Sequence, residues 1–544
     1  MADSAGSAPR HRSRLRLRTA VLEREIKFRI PEERDAAAVC DAIEGAGFRL
    51  ESSGLVTHED GYLDTDDWIL FRAGIALRLR REGERLTLQA KTIQSKTGEV
   101  LTRTEWAQEA PPTDPPWESL PNGPVAILLR PLAKLRVLAR LTTRARVESE
   151  RKMFRWLHER ELLGSVTLDR VREAGTQNGG DSYRELEVEA LDGAAAALEE
   201  VRAAVERRLD LHTSVESKLA AALATAGEKL PEMPERAYAL YEGDRLADVA
   251  AKTLGRHLTR MFWNEPGTRL NLDPNYVHDM RVATRRLRTA LQVFAMAIPE
   301  ETRESLGRDL RWIGRALGGV RDLDVGLRRV AAMVSRAPEH ERAALYVFAR
   351  YLEIRRARRR VRLLRRLDSK RYEAFRERAQ RWLDGGPTLW APIAAPESAS
   401  AAGGVHPALA PAYMVGPRIV AEWDNRMREA CQEAERKSTP ANVHALRIAV
   451  KHARYAVEYF AVSEGQSAHH RARQLARLQD KLGEHQDAAT LLRHMRRYAR
   501  TIPRRDRQLL LGARGVMDRL EPETRITRGE LHELWELGAG ADVT

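Results

Sequence analysis

Polar and apolar positions alternate along residues 22–31, LEREIKFRIP. Glu23, Glu25 and Lys27 stand at odd positions, and Leu22, Ile26 and Phe28 at even ones. A period of two predicts a β-strand with two acids and a lysine on one face. The same alternation returns as far as residue 190. Arg78 and Arg80 alternate with Leu77 and Leu79, Gln89 and Lys91 with Leu88 and Ala90, and Glu185, Glu187 and Glu189 with Leu186 and Val188. A half-buried strand with a solvated face carries variable polarity there. Here one face repeatedly carries acids and bases of both signs. If the strands close into a barrel, the charges line its interior and the apolar faces turn outward against helices. A lumen offering carboxylates to a metal and Arg/Lys to phosphate suits a metal-bound polyphosphate.

The segment 35–48, DAAAVCDAIEGAGF, reads as a helix ended by Gly45 and Gly47. Short strands follow through HEDGYLDT, IALRLRREGERLTLQAKT and LTRTEWAQEA, then a Pro-rich loop at 111–124. Beyond it the pattern predicts a helix near 125–140, strands near 143–157 and 164–172, an acidic strand at 184–190 and a helix at 192–208. GEKLPEMPERA, residues 227–237, carries two prolines and reads as a linker. Past it strand periodicity disappears. Residues 240–384 and 414 to about 535 are helical in pattern, separated by a Pro/Ala/Gly-rich loop at 385–412. The expected organisation is a basic disordered tail (1–20), a barrel domain (21–225), a linker (226–238) and a helical domain (239–540). The fold class is α+β: an antiparallel β-barrel or tunnel with surrounding helices, then an all-α duplicated bundle.

The helical half repeats itself. His278, Arg281, Arg285 and Arg288 align with His444, Arg447, Lys451 and Arg454, and the corner LGGVRD (317–322) aligns with LGEHQD (482–487). One duplicated unit explains both matches. Spacings of three, seven and ten residues put each quartet within roughly an 80° arc of one helix, a row about 15 Å long. Two such rows facing each other make a basic channel. The Leu-Gly corner is expected to be a tight helix turn whose Asp orients a basic residue. Arg356, Arg359 and Arg360 read as surface arginines away from the rows, and the pair His469-His470 as surface too.

Composition sharpens this. Lys and Arg number 92 against 78 Asp and Glu in 544 residues, a net charge of +14. Such a surplus favours polyanions. The two cysteines, Cys40 and Cys431, lie far apart, which excludes a cysteine zinc site or disulfide framework and fits a reducing cytosol. No apolar run reaches 18 residues, so no membrane span is expected. The first 20 residues hold HRSRLRLRTA without the apolar core of a secretory signal. GxxxxGK[ST], HExxH and GxGxxG are absent. No recognised nucleic-acid motif accompanies the basic helices.

The helical repeat resembles the CHAD (conserved histidine α-helical) domain over about residues 240–535. The resemblance implies binding of inorganic polyphosphate through His278, Arg281, Arg285, Arg288, His444, Arg447, Lys451 and Arg454. The N-terminal half resembles the CYTH, or triphosphate tunnel metalloenzyme, family. The resemblance rests on Glu-x-Glu-x-Lys at Glu23, Glu25 and Lys27. YLDT (62–65), LRLR (77–80), LQAK (88–91), RTE (103–105), LDR (168–170), ELEVE (185–189) and SKL (217–219) follow in order. It implies a metal-dependent triphosphatase using Mg²⁺ or Mn²⁺. Glu23 and Glu25, with one or more of Glu185, Glu187 and Glu189, would hold the metal, and Glu105 and Asp169 would support a second ion. Arg78, Arg80, Lys91, Arg103 and Lys218 would neutralise phosphate oxygens, with Lys27 at the metal–phosphate boundary. The basic strand TTRARVESERKMFRW leaves Arg144, Arg146 and Arg151 as rival tunnel residues, because a bulge would change its register. The alternatives are a non-catalytic polyphosphate-binding protein of granules, or a tunnel enzyme acting on a nucleoside or thiamine triphosphate. A cytoplasmic location, associated with polyphosphate granules, is expected.

Overall fold

A computed structural model describes residues 20–31, 36–93, 100–173, 182–191, 193–385 and 406–539. The basic tail before Ala20 and residues 386–405 of the expected loop lie outside them. The chain divides into two compact units, Met1–Glu232 and Met233–Thr544, and the division falls inside the two-proline segment.

The first unit contains β1 (Val21–Ile30), α1 (Ala36–Glu44), β2 (Arg49–Asp64), α2 (Ile69–Arg72), β3 (Ile75–Glu82), β4 (Arg85–Thr92) and β5 (Leu101–Glu109). It continues with α3 (Pro124–Leu129), β6 (Thr142–His158), β7 (Glu161–Glu173), β8 (Tyr183–Ala190), α4 (Ala195–Leu209) and α5 (Lys218–Thr225). The strands close an antiparallel barrel in the order β1-β5-β4-β3-β2-β6-β7-β8. Its polarity is the one the alternation predicts. Ile26, Phe28, Leu186 and Val188 face outward and are fully buried against Val39 and Ile43 of α1 and Leu198, Val201 and Val205 of α4. Each such side chain contributes about 1.5–3 kcal/mol by leaving water, which lets the opposite faces carry charge. α1 ends at Glu44, and Gly47 supplies the left-handed residue (φ 94°) that turns the chain into β2.

Two local expectations change. The helix near 125–140 is only α3, followed by 3₁₀ turns at Arg130–Leu135 and Leu138–Arg140. Pro131 has no amide to donate and crowds the carbonyl of Ile127, so the α-helix stops before it. An additional helix, α5, follows the SKL segment. Its N-cap Ser217 accepts from the Ala220 amide at 3.1 Å. Leu219, Ala222 and Leu223 pack on Tyr62, Val147 and Val171, closing one end of the barrel interior with an apolar layer.

The second unit contains α6 (Leu246–Trp263), α7 (Glu265–Leu270), α8 (Pro274–Val293), α9 (Glu300–Val334) and α10 (Glu339–Leu367). It continues with α11 (Lys370–Gly385), α12 (Ala412–Arg436), α13 (Pro440–Ala499), α14 (Arg507–Glu523) and α15 (Arg528–Ala539). One core joins α6, α8 and the first part of α9 to α12 and the first part of α13 through Leu287, Phe294, Leu310, Trp423, Tyr455 and Phe460. A second joins the far ends of α9 and α13 to α10 and α14 through Leu323, Phe348, Leu491 and Val516. The duplication is visible in the breaks. The first copy separates α8 from α9 by a loop, and the second breaks at the matching place within α13, where Gly465 (φ 69°) joins two helices across a sharp kink. The Leu-Gly corners are not turns: both lie inside unbroken helix, in α9 and α13. Helical glycine serves packing in the first corner, whereas a Cβ on Gly483 in the second would meet open space. A Cβ on Gly318 would stand 3.3 Å from Arg281 Nε.

Candidate functional site

The barrel interior holds a cavity of about 530 Å³ lined by six cations: Lys27, Arg78, Lys91, Arg103, Arg151 and Lys218. The ladder registers bring them together. On β1 and β8, Lys27 pairs with Glu187 and Glu25 with Glu189; on β1 and β5, Glu23 pairs with Arg103; on β6 and β7, Arg151 pairs with Asp169. Pairing residues on neighbouring strands share a face, so three of these pairs set an acid beside a base and the fourth, Glu25 with Glu189, sets two acids together.

Two acidic trios stand on these strands, Glu23–Glu25–Glu189 and Asp169–Glu185–Glu187, each with carboxylate oxygens within 4.8 Å of one another, and of them Glu187 lines the cavity. They differ in what surrounds them. Lys27 and Lys218 donate to Glu187 and Asp169, Lys218 lies 3.3 Å from Glu185, and Arg151 spans Asp169 and Glu187 at 2.6 and 2.8 Å. Three cations thus answer three acids. Against the burial that would push them down, Glu187 and its neighbours hold both lysines above their ordinary range. In the first trio Lys91 meets Glu23 at 2.8 Å and Arg103 meets Glu25 at 3.1 Å, while Glu189 gains no ion pair among the described residues. Burial pushes Glu189 upward, and burial with a hydrogen bond to Glu105 carries Glu23 to about 8. Buried Glu25 Oε1 has Arg103 at 3.1 Å and Lys27 at 3.9 Å, and like Glu185 Oε1 of the second trio it accepts no hydrogen bond. Crowded carboxylates short of counter-charge, as at Glu189, suit a hard divalent cation. The first trio fits a metal better than the second, whose charge is already neutralised by side chains.

The remaining expected residues fall as follows. Glu105 belongs to neither trio; it shares Lys91 with Glu23, at 3.1 Å. Arg80 does not line the cavity, because Asp60 holds it by two bonds of 2.8 Å. Arg78 is aimed by Gln89 Oε1 at 2.7 Å and by Asp60 at 3.2 Å. Asp64 of the YLDT segment accepts the amides of Thr65, Leu70 and Phe71 and so caps α2. Of the three rival arginines, Arg151 alone enters the cavity. Arg144 pairs with Asp66 and Arg146 with Glu59, and neither lines the cavity. Asp60, the anchor of Arg78 and Arg80, escapes the sequence reading. The signal is there in its two-residue spacing from Tyr62 along HEDGYLDT.

In the second unit α8 carries His278, Arg281, Arg285 and Arg288, and the first part of α13 carries His444, Arg447, Lys451 and Arg454. The rows face each other. Burial first, then the guanidiniums of Arg285, Arg447, Arg288 and Arg281, depress Lys451 to about 7. Arg285 donates to Tyr455 Oη at 2.9 Å, bridging the two helices. Burial and the surrounding arginines bring His278 to about 4, so it is a neutral ring at pH 7. His444 Nδ1 lies 3.1 Å from Gln486. Arg454 is tied to Glu458 at 2.8 Å, and Arg286 reaches the same carboxylate at 2.6 Å. The corner acids do face basic side chains: Asp322 lies 3.8 Å from Arg281. Arg356, Arg359 and Arg360 are not spare surface charge. Arg356 pairs with Asp324, Arg360 donates to the carbonyls of Thr268, Arg269 and Leu270, and Arg359 packs beside Gly319.

A family model for the CYTH domain matches residues 22–223, and one for the CHAD domain matches residues 252–496. The chain carries a CYTH domain followed by a CHAD domain. The CYTH match spans all eight strands of the barrel, and the CHAD match spans both cation rows. Solved structures similar to this chain include the CHAD domain from the plant Ricinus communis, at 23% identity over 55% of this chain and 94% of that one, TM-score 0.44. PptA from Streptomyces chartreusis is 18% identical over 54% and 100%, TM-score 0.42. The putative adenylyl cyclase HpAC1 from Hippeastrum, described as having a dominant triphosphatase activity, is 20% identical over 38% and 98%, TM-score 0.29. Among curated proteins no match is found. Among the described residues no helix is long and apolar enough to cross a membrane.

Proposed function

We propose that the CYTH barrel is a metal-dependent triphosphatase and that the CHAD unit binds inorganic polyphosphate. The observation that carries the first part is one cavity lined by six cations, two of which, Lys91 and Arg103, reach back to Glu23 and Glu25 of the acidic trio beside it. Lys91, Arg78, Arg103 and Arg151 would neutralise and align the phosphate oxygens, the arginines with planar forks. Lys27 and Lys218, fixed by the second trio, would hold their ammonium groups charged toward the same space. Glu23, Glu25 and Glu189 would hold Mg²⁺ or Mn²⁺, which when bound supplies countercharge to phosphate oxygens and acidifies water. Phosphoryl transfer needs alignment and charge neutralisation more than covalent help.

One observation favours a substrate with an organic group. Phe71, Ile93, Val215, Leu219 and Leu230 form an apolar side of the same cavity, and inorganic triphosphate has nothing to place there. A phosphate-release panel over triphosphate, ATP, thiamine triphosphate and long polyphosphate, with Mg²⁺, Mn²⁺ or EDTA, decides both points. Metal-dependent release is expected. Failure to release phosphate from any of the four with either metal overturns the enzyme.

A further inference from the structure

The duplication creates two equivalent cavities in the CHAD unit that differ in charge. The first, about 400 Å³, lies where α8 meets the start of α9. It is lined by Arg288, Gln292, Arg303, Glu304, Arg308 and Arg311, with Leu291 and Gly307. The second, about 660 Å³, is lined by Arg454, Glu458, Gln466, His469, Ala472, Arg473 and Ala476. Under the repeat Arg288 and Gln292 become Arg454 and Glu458. Glu304, Gly307, Arg308 and Arg311 become His469, Ala472, Arg473 and Ala476. The first cavity therefore holds four arginines against one glutamate. Its counterpart holds two against one glutamate, and Glu458 already occupies Arg454.

The first cavity also opens onto the basic channel. Arg288 is a member of the α8 row, and it feels Arg281 on one side and Arg311 and Arg315 on the other. Arg308, Arg311 and Arg315 are exposed and recur at spacings of three and four, so they form a third cation row on one face of α9. That row rises about 10 Å along the helix. Arg303 stands beside it, half-buried, with a hydrogen bond to Glu300 at 3.2 Å and an Nε that has no partner.

We propose that the channel is polar. A polyphosphate chain longer than the channel leaves it past Arg288 and lies along Arg308, Arg311 and Arg315 of α9. The pseudo-equivalent exit past Arg454 binds no phosphate. This rests on the reading of the channel as a polyphosphate site and adds a direction to it. Clustered cations hold consecutive phosphates, whereas an arginine already paired to a carboxylate releases no counterion when phosphate arrives.

The test uses the full chain in EDTA, with long-chain polyphosphate and a short linear oligophosphate as probes. Affinities are measured across a salt series for R308Q/R311Q, for R473Q and for R281Q/R285Q. Both α9 positions are exposed, so the fold should survive, and circular dichroism checks it. R308Q/R311Q should weaken long-chain binding about tenfold at low salt and lower the salt slope by about two, one for each phosphate no longer neutralised. Its affinity for the short probe should not change, and R473Q should match wild type on both probes. Wild-type long-chain affinity in R308Q/R311Q, or an R473Q loss as large per charge, overturns the polarity. If R281Q/R285Q also leaves both probes unaffected, the channel reading itself falls. If it weakens both while R308Q/R311Q weakens neither, only the exit path is wrong.

Discussion

Single side chains decide the chemistry of each unit through their neighbours. Glu25 is buried, crowded by Glu23 and Glu189, and has an oxygen without a hydrogen bond. Glu25→Gln keeps its shape and removes one like charge. Metal-dependent phosphate release should fall about a hundredfold or more, while thermal stability stays level or rises. Unchanged turnover at saturating Mg²⁺ and Mn²⁺ would remove the metal from this trio. Lys451 makes a sharper case. Arg281, Arg285 and Arg288 face it from α8 and Arg447 from its own helix, and with burial they lower it from 10.5 to about 7. Between those values the unfolded chain holds a proton that the folded chain lacks, so this residue makes stability rise with pH across that window. A bound polyanion reverses the local potential and favours the ammonium form. Wild-type polyphosphate affinity should therefore rise as pH falls through about 7. Lys451→Met should flatten that rise while raising the melting temperature of the ligand-free protein at pH 6. A pH profile identical in wild type and Lys451→Met contradicts the assignment.

Strand register carries the tunnel. β6 holds Arg144, Arg146 and Arg151, and alternation alone cannot say which face each takes. In its pairing with β2 the irregularity that falls in β6 is at Arg144 itself, between Ala145 and Thr143, while Ala145 to Met153 pair in unbroken register. Arg146 and Arg151 therefore take opposite faces, Arg151 opposite Asp169 and Arg146 beside Gly61 and Glu59. Arg151→Lys keeps the charge but loses the fork that spans Asp169 and Glu187, and should cut kcat/KM about tenfold to a hundredfold. Arg146→Gln should leave turnover within error. Equal losses in the two variants would mean that the cavity does not bind the phosphates. At the same scale the corner glycines show why a motif can be found and misread. Leu-Gly-x-x-x-Asp suggests a stop, yet Gly318 continues α9 and makes room for Arg281.

At the scale of the molecule, each unit has its own apolar clusters. Residues 233–539, expressed alone, should fold, retain long-chain polyphosphate at low salt and release no phosphate from it. The affinity should fall steeply as salt rises. A folded fragment that shows no retention would refute polyphosphate binding by this unit without touching the tunnel. A control for net charge needs exposed arginines that hold nothing structural. Arg504, Arg505 and Arg528 suit, whereas Arg356 and Arg360 knit α10 to α9 and to the end of α7.

Periodicity, repetition and charge sign are local properties, so the sequence alone established the strands, the charged face they share, the helical duplication and most of the side chains that converge, while closure into a barrel is seen in the strand order. Alternation of Glu23, Glu25 and Lys27 puts them on one face whatever the strand pairs with. Partnership is not local. That Lys27, Lys218 and Arg151 satisfy the second trio, while Lys91 and Arg103 meet only Glu23 and Glu25 of the first, follows from strand order and from where α5 starts. That Glu458 claims Arg454 while Arg288 opens onto Arg311 follows from helix packing. The two rows look alike in sequence because spacing is inherited by duplication. They differ in the fold because a charge is worth what its neighbours leave unpaired, and neighbours 160 residues away meet only in three dimensions.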